Sequence, residues 1–442
     1  MTDLLLLWIG LLVALVALAI GPPGRGGALT LAYFLALSLI HVPGVLPFLD
    51  TDPALSDFAD TSIGFAVTLA GMAAFVAGAV AARLSHRPSS DIITRSAGPG
   101  LERAGWRALA IGASSYLLLS VVFGRLASTT AIVSSLPNLV ILGFWMLLYP
   151  TGSLADARRG LLVLGLLPLL PLTSLVADGF LSYGIHWVLV ILAFFYIVTH
   201  RRLWIYLASP LLVYLGLSLF VTYMGQREAI RDAVWYEQAG IVDRFEQVSR
   251  LITDFQLLDL SSNAHLAAIE DRLNQNDLVG AAVAGHRAGY YDFAYGGTVP
   301  LWGFVPRALW PEKPAVGGGG SLVTEYTGIA FEEGTSVGAG QVLEFYINFG
   351  IAGVLAGFAG LGFLLMRLDL GMMRAFAAGD LAGVLLRAMP GLSLLQPGGN
   401  LLEILVACVG ATLGALALVY SGVLGRDAAH RANTVEPQIS GP

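Results

Sequence analysis

The sequence predicts an all-α integral membrane protein with about eleven transmembrane helices. Of its 442 residues, 56% are hydrophobic and only 12% are charged, which is about half the charge of a typical soluble chain. The mean hydropathy is +0.75, and apolar stretches recur that are long enough to cross a bilayer as helices. The net charge of −6 and the single cysteine, Cys408, argue against a nucleic-acid partner, a disulfide framework and a cysteine-based zinc site.

The apolar stretches divide the chain into a bundle at 1–224 with about eight spans, a long polar interruption at 225–341, about three spans at 342–424 and a polar tail at 425–442. The predicted spans are 4–20, 28–48, 62–82, 108–123, 130–149, 160–177, 185–199, 204–224, 342–366, 381–396 and 401–424. The first stretch lacks a basic leader and a small-residue cleavage site, so we expect a retained anchor.

The arginines predict the orientation of these spans. Fourteen of them fall in alternate short loops and in the C-terminal tail, whereas the opposite short loops hold only Arg125. Because cytoplasmic loops are enriched in Lys and Arg, we expect a cytoplasmic C-terminus. The same rule predicts that the segment 225–341 faces outward.

The outward segment is predicted to begin with helices and to continue as an irregular chain. Apolar residues recur at helical spacing over 228–258, which predicts an amphipathic helix on the outer membrane interface or against the bundle. Two shorter helices are predicted at 264–274 and 277–288. Four prolines at 300–314 exclude a continuous helix in that stretch, which is therefore predicted to be a loop. A proline-rich loop with basic and aromatic residues is typical of either a binding element or an ordinary packed lid.

Basic and acidic groups mark three candidate sites in and beside this segment. Arg307 and Lys313 flank Trp310 in a proline-rich loop, where they could bind phosphate oxygens or lipid headgroups. Glu344 and Asn348 lie four residues apart at the outer end of the ninth predicted span, which indicates either a site or a helix-packing contact. Arg227 follows the eighth span, and interfacial snorkelling would also explain it.

These elements together resemble a known family. The order is Gly225-x-Arg227 after a span, Arg272 in a helix, P-R-x-x-W-P-x-K-P over 306–314, and E-x-Y-x-N-F-G-x-x-G over 344–353. This order resembles the Wzy-type oligosaccharide repeat-unit polymerases, which make O-antigen and exopolysaccharide in bacterial inner membranes. The resemblance covers roughly 225–355.

The resemblance implies a GT-C-like glycosyltransferase that polymerises undecaprenyl-diphosphate-linked oligosaccharides at the periplasmic face, without a metal or another cofactor. By motif position, Arg227, Arg272, Arg307 and Lys313 would hold the diphosphate. The expected partners are the lipid-linked glycan, the bilayer, and a chain-length regulator and flippase of the same pathway; no nucleic acid is expected.

The residue chemistry fits this implied reaction. Fixed cations stabilise the negative charge that grows on a departing diphosphate, and the attacking hydroxyl needs a base. Glu344 is the favoured base, so Glu344, Arg272 and Arg307 form the predicted catalytic set, with His265, His286 and Asp292 as other candidate bases. Faces for sugar rings would come from the aromatic side chains, namely Tyr290, Trp302 and Trp310.

Three alternatives stay open at this point. The acidic loop at 49–61 could hold a divalent cation through Asp50 and Asp52, although such a loop is more often simply solvated. An O-antigen-ligase-like transferase would use a different acceptor. A transporter or flippase for the same glycans would be expected to show midplane charges and repeated halves, and the spans within 1–224 carry almost no interior charge.

Overall fold

A computed structural model shows a helical protein. It describes residues 1–20, 26–49, 56–86, 99–119, 131–149, 155–199, 202–236, 240–305, 310, 312, 319–331 and 337–424. Over these ranges the chain forms α-helices and short 3₁₀ and π-helical turns, without a strand. The predicted all-α class is therefore confirmed.

The α-helices, in chain order, are α1 Thr2–Ile20, α2 Ala28–His41, α3 Ser56–Leu84, α4 Pro99–Leu117, α5 Ala131–Ser134, α6 Asn138–Leu148, α7 Ala155–Leu166, α8 Leu169–Asp178, α9 Leu181–Val198, α10 Arg202–Arg231, α11 Ile241–Thr253, α12 Asn263–Leu273, α13 Asn276–Arg287, α14 Gly319–Thr327, α15 Gln341–Ala378, α16 Leu381–Ser393 and α17 Leu401–Ser421.

Seven described helical stretches are long and apolar enough to cross a membrane, by length and composition. They are Thr2–Ile20, Phe58–Leu84, Gly160–Asp178, Leu181–Val198, Leu207–Val234, Gln341–Ala378 and Leu401–Ser421. Three shorter apolar helical stretches coincide with other predicted spans: Ala28–His41, Ile132–Leu148 and Leu381–Ser393. The chain thus has the helices of a membrane protein, and the count of eleven spans stays a prediction.

Proline explains why several predicted spans are not single helices. The stretch predicted at 28–48 leaves the α-helix at His41 and continues as a 3₁₀ helix, Pro43–Phe48. Pro137 precedes the first residue of α6, and Pro168 precedes that of α8. A proline ring clashes with the preceding turn and removes a backbone donor, so these apolar stretches are divided.

The centre of the bundle is the crossing of α3 and α15. A side chain at Gly78 would collide with the carbonyl oxygen of Ala359, and one at Gly362 would collide with the carbonyl oxygen of Phe75. Only glycine permits this backbone approach, which is how membrane helices pack closely. Tyr33 of α2 stacks on Phe75, with 5.0 Å between ring centroids.

The start of α2 is fixed by a carboxylate from α15. Asp369 is buried and accepts hydrogen bonds from the backbone N–H groups of Leu29 and Thr30, at 2.8 and 2.9 Å. It also accepts the Thr30 hydroxyl at 2.6 Å. A carboxylate is favourable at a helix N-terminus, where backbone donors are otherwise unsatisfied.

The segment 225–341 packs on the end of the bundle formed by the end of α2 and the start of α3. Asn276 donates to the His41 carbonyl at 2.7 Å, and its side-chain oxygen lies 2.8 Å from His41 Nδ1. Asp277 accepts a short hydrogen bond from Thr61. The predicted short helices at 264–274 and 277–288 are present as α12 and α13.

The continuous helix predicted over 228–258 is not observed. Helix α10 runs through Arg231, a π-helical turn covers Asp232–Tyr236, and α11 ends at Thr253. The chain ends the helix there because its backbone returns to α10: Gln256 N–H donates to Thr222 Oγ1 and Leu258 N–H to Ser218 Oγ.

Helix α11 buries only part of the apolar pattern that predicted a helix here. Val248 and Leu251 are buried, whereas Val242, Phe245 and Ile252 are exposed. An exposed apolar face beside a spanning helix is the geometry expected of a helix on the membrane interface.

Candidate functional site: an arginine group and an acidic cleft

Three side chains form a stripe along the last turns of α10. Tyr223, Arg227 and Arg231 are spaced four residues apart, so they lie on one helix face. The Tyr223 hydroxyl donates to the Gly179 carbonyl at 2.9 Å and also shares a hydrogen bond with the Arg227 side chain. The stripe therefore holds two guanidinium groups at the end of a candidate spanning helix.

Helix α12 adds a third guanidinium group. Ile269 and Leu273 of α12 pack with Val221 of α10 and Leu258, and this contact carries Arg272 to the stripe. The pKa of Arg272 is lowered, first by partial burial and then by the positive charges of Arg227 and Arg231, with Asp271 acting in the opposite direction. We call Arg227, Arg231 and Arg272 the arginine group.

Like charges that converge in this way repel one another, and an anion bound among them would relieve the repulsion. The structure brings together two of the four residues predicted to hold a diphosphate, Arg227 and Arg272. The other two, Arg307 and Lys313, lie outside the described residues. Sequence reasoning missed Arg231, although its four-residue spacing from Arg227 was a usable signal.

A second feature is a cleft of about 370 Å³ between described residues of the segment 225–341 and the ends of α15 and α17. It is lined by Gly297, Thr298, Pro300, Trp302, Ser321, Leu322, Glu325, Glu344, Asn400, Leu402 and Glu403. Four separate parts of the chain supply this lining: the irregular stretch after α13, helix α14, the start of α15 and the start of α17. Its three carboxylates make it acidic.

Glu344 is the most buried of these carboxylates. Its side chain is 1% exposed, and Oε2 accepts the backbone N–H of Leu401 at 2.6 Å. Leu401 is the first residue of α17, so the carboxylate lies at a helix N-terminus, where the helix dipole favours a negative charge. Thr298 also hydrogen bonds to it, and Glu403 is close enough to act on it electrostatically.

Asn348 secures the loop that forms one wall of the cleft. Its Nδ2 donates to Thr298 Oγ1 and to the Glu344 carbonyl, each at 2.7 Å, and its Oδ1 accepts the Gly296 N–H at 2.8 Å. The carboxamide is therefore fully used in structural contacts. Glu344 and Asn348 share a helix face as predicted, but they have different surroundings.

A break in α15 follows directly after Asn348. Phe349 and Gly350 leave helical geometry, and Gly350 adopts φ 63° and ψ −153°, a region that glycine alone occupies readily. At this break the carbonyls of Ile347 and Asn348 accept the backbone N–H groups of Ala294 and Tyr295, at 2.9 and 3.1 Å. The broken helix thus hydrogen bonds through its own backbone to the stretch that follows α13.

The three predicted sugar-binding aromatics do not share this cleft. Trp302 lines it, but Tyr290 is 84% exposed after the end of α13 and is not among the lining residues. Trp310 is 41% exposed and also lies outside the lining. Glu325 and Glu403 line the cleft and were missed, because nothing local in the sequence indicates that α14 and α17 meet there.

The other candidate bases lie away from the cleft lining. His265 Nδ1 accepts the Asp259 N–H at 3.0 Å, and the His286 ring stacks on Phe293 with 3.9 Å between centroids. Asp292 is exposed.

The alternative of a metal site at Asp50 and Asp52 concerns positions that fall outside the described residues. Among the residues that the structure does describe, no group of three or more His, Cys, Asp or Glu side chains is arranged to hold a metal ion.

The structure therefore places the predicted site residues in two features. Arg227 and Arg272 belong to the arginine group, while Glu344 and Trp302 belong to the acidic cleft, and neither arginine lines that cleft. Of the predicted catalytic set, Glu344 lines the cleft, Arg272 does not, and Arg307 lies outside the described residues, so the set stays a prediction.

Compared with protein-family models, curated proteins and solved structures, the chain gives no match. The functional argument accordingly depends on the two features themselves.

Proposed function

We propose that the protein is a membrane glycosyltransferase that polymerises undecaprenyl-diphosphate-linked oligosaccharide repeat units. The observation that carries the proposal is the convergence of Arg227, Arg231 and Arg272 at the end of a candidate spanning helix. Guanidinium groups bind phosphate oxygens in pairs, and a diphosphate on a lipid carrier would be presented at the membrane boundary. A lipid-linked diphosphate therefore accounts for an arginine group at the end of a candidate spanning helix better than a soluble ligand does.

The surface of α10 suits the lipid part of such a donor. Apolar side chains on its first half are exposed, including Leu207, Leu211 and Val213. An isoprenoid chain could run along this surface while its diphosphate stays at the arginine group. Burial of apolar area would then contribute to binding without specific polar contacts.

The acidic cleft suits the acceptor glycan. Carboxylates accept hydrogen bonds from sugar hydroxyls, and hydroxyl side chains both accept and donate them. Trp302 offers an apolar face for a sugar ring. In the transfer step the acceptor oxygen forms a bond to C1 of the donor sugar, and the bond from C1 to the diphosphate oxygen breaks. The acceptor proton passes to a carboxylate, for which Glu344 is the proposed base.

For this reaction the donor diphosphate must lie next to the cleft. Arg307 and Lys313 are proposed to bind the diphosphate together with the arginine group, between that group and the cleft. The proposed setting is a bacterial inner membrane, with the segment 225–341 on the periplasmic side and the C-terminus in the cytoplasm. The proposed partners are a flippase that supplies the donor and a chain-length regulator that acts on the product. The proposed mechanism needs no metal.

Substitution of the arginines tests the proposal. Arg272→Ala and Arg307→Ala should abolish long-chain glycan while the single-unit lipid-linked precursor persists on the outer face of the membrane. Arg250→Ala is the matched control, since Arg250 is exposed and pairs with Glu246 on α11 at 3.6 Å. Precursor trapped on the inner face would indicate a flippase instead.

Reconstitution of the purified protein with a lipid-linked repeat unit gives the direct test. Products that grow in steps of one repeat unit would support polymerisation, and a product formed only with a different acceptor would indicate a ligase. The same assay in the presence of a chelator should give unchanged rates if no metal takes part.

A further inference from the structure

A second set of basic side chains lies at the opposite end of the α3–α15 crossing from the acidic cleft. Arg83 and His86 are three residues apart at the end of α3, and Arg367 and Arg374 are seven apart on α15. Arg367 and Arg374 therefore lie on one face of α15. His86 follows the end of α3 at Leu84, and its backbone N–H donates to the Arg83 carbonyl at 3.2 Å. We call these four residues the basic cluster.

Contacts join the two pairs. The Arg374 guanidinium hydrogen bonds to the imidazole of His86, and Arg367 and Arg83 are both close enough to act on His86 electrostatically. Burial, followed by these three positive charges, lowers the pKa of His86. The cluster thus concentrates three positive charges on one spot.

The carboxylates at this end of α15 serve the ends of other helices. Asp369 accepts backbone N–H groups at the start of α2, and Asp380 accepts the Gly383 N–H at 2.9 Å at the start of α16. Arg387 donates to the Gly383 carbonyl at 2.8 Å.

The surface beside the cluster is apolar and exposed. Phe363 and Leu364 lie one turn before Arg367 on α15 and are 42% and 44% exposed, and Leu84, next to Arg83, is 81% exposed. In a chain with seven candidate spanning helices, such a surface faces acyl chains. Apolar surface and guanidinium groups then follow one another along a helix, as the acyl chain and phosphate do in a phospholipid.

We propose that the basic cluster binds the phosphate headgroup of an anionic phospholipid, with an acyl chain against Phe363 and Leu364. Basic groups between transmembrane helices at a membrane surface are suited to such headgroups. The three arginines offer paired donors to phosphate oxygens, and the ends of α3 and α15 would be joined by the bound lipid. This site is separate from the proposed transfer reaction.

Lipid-dependent thermal stabilisation of the purified full-length protein in detergent tests the proposal. Phosphatidylglycerol should raise the unfolding temperature in a saturable way, whereas phosphatidylcholine and inorganic phosphate should not. Arg367→Gln together with Arg374→Gln should weaken the apparent affinity for phosphatidylglycerol about tenfold or more, since each charged hydrogen bond is lost. Arg158→Gln, at an exposed arginine of α7, should leave it unchanged.

The single variant Arg367→Gln keeps the test valid if the double variant fails to fold, because Arg367 is exposed. It should weaken the affinity for phosphatidylglycerol by a smaller factor, and its unfolding temperature without lipid should be unchanged. Equal stabilisation by phosphatidylcholine, an equal response to inorganic phosphate, or unchanged affinity in the Arg367→Gln and double variants would each overturn the proposal. None of these outcomes depends on glycan transfer.

Discussion

The arginine group and the acidic cleft differ in the distance along the chain from which their residues come. Two of the three arginines are four residues apart on one helix, and the third is on a helix that packs against it. The cleft takes its lining from stretches as far apart as Gly297 and Glu403. A charge pattern on one helix can be predicted from spacing, but a cavity built by four segments depends on topology.

The two features also differ in how their charges are stabilised. The arginine group brings like charges together beside the opposite charge of Asp271, and a bound anion would reduce their repulsion further. Glu344 in the cleft is already stabilised by the Leu401 N–H and by Thr298. We therefore expect ligand binding to be most sensitive at the arginines and the chemical step to be most sensitive at the carboxylate.

The largest expected effect would come from the cleft. Glu344→Gln should lower the rate of glycan transfer by about 10²–10⁴, the usual contribution of a general base, while affinity for undecaprenyl diphosphate stays the same. Single-turnover transfer by the reconstituted protein measures the rate. Glu325→Gln and Glu403→Gln are the matched controls, and a larger loss in either one would assign the base to that residue.

The arginine group should show the reverse pattern. Arg231→Ala should weaken binding of undecaprenyl diphosphate by about 10- to 150-fold, because a hydrogen bond to a charged group is worth about 1.5–3 kcal/mol. Titration with a fluorescent analogue at two salt concentrations would measure this, with Arg250→Ala as the control. Unchanged affinity in Arg231→Ala would exclude this arginine from the diphosphate site.

Substitution of Asn348 should lower the stability of the protein without changing diphosphate binding at the arginine group. Asn348→Ala removes three hydrogen bonds made by a buried side chain and should lower the free energy of unfolding by about 1–3 kcal/mol. Denaturant unfolding in detergent measures it, and Asn263→Ala, at an exposed position, should have little effect. If diphosphate affinity fell as strongly as stability, the two features would be coupled rather than separate.

The smallest expected effect concerns Trp302, the aromatic side chain in the lining of the cleft. Trp302→Ala should weaken the binding of the acceptor glycan by about two- to tenfold, since an aromatic contact contributes about 0.5–1.5 kcal/mol. The dependence of rate on acceptor concentration measures it. Tyr290→Ala is the comparison, and a stronger effect there would place the sugar outside the cleft.

Composition and periodicity predicted the all-α class, the positions of most apolar helices, and α12 and α13. They did not predict the end of α11, because the hydrogen bonds from Gln256 and Leu258 to α10 side chains override an apolar pattern that continues to Phe255. The hydrogen bond from the Leu401 N–H to Glu344 could not be predicted either, because the two residues are 57 positions apart and meet only through the tertiary fold. Local spacing carries no information about which helix ends meet.

The break at Phe349–Gly350 has a mechanical consequence. The Ile347 and Asn348 carbonyls bind the backbone of Ala294 and Tyr295, so a break in a candidate spanning helix holds a loop in place. A side chain at position 350 would meet the Phe293 ring at 2.9 Å and an unfavourable φ. In a straight helix these two carbonyls would bond within α15 instead, so the position of the loop that forms the cleft wall depends on the same two peptide groups.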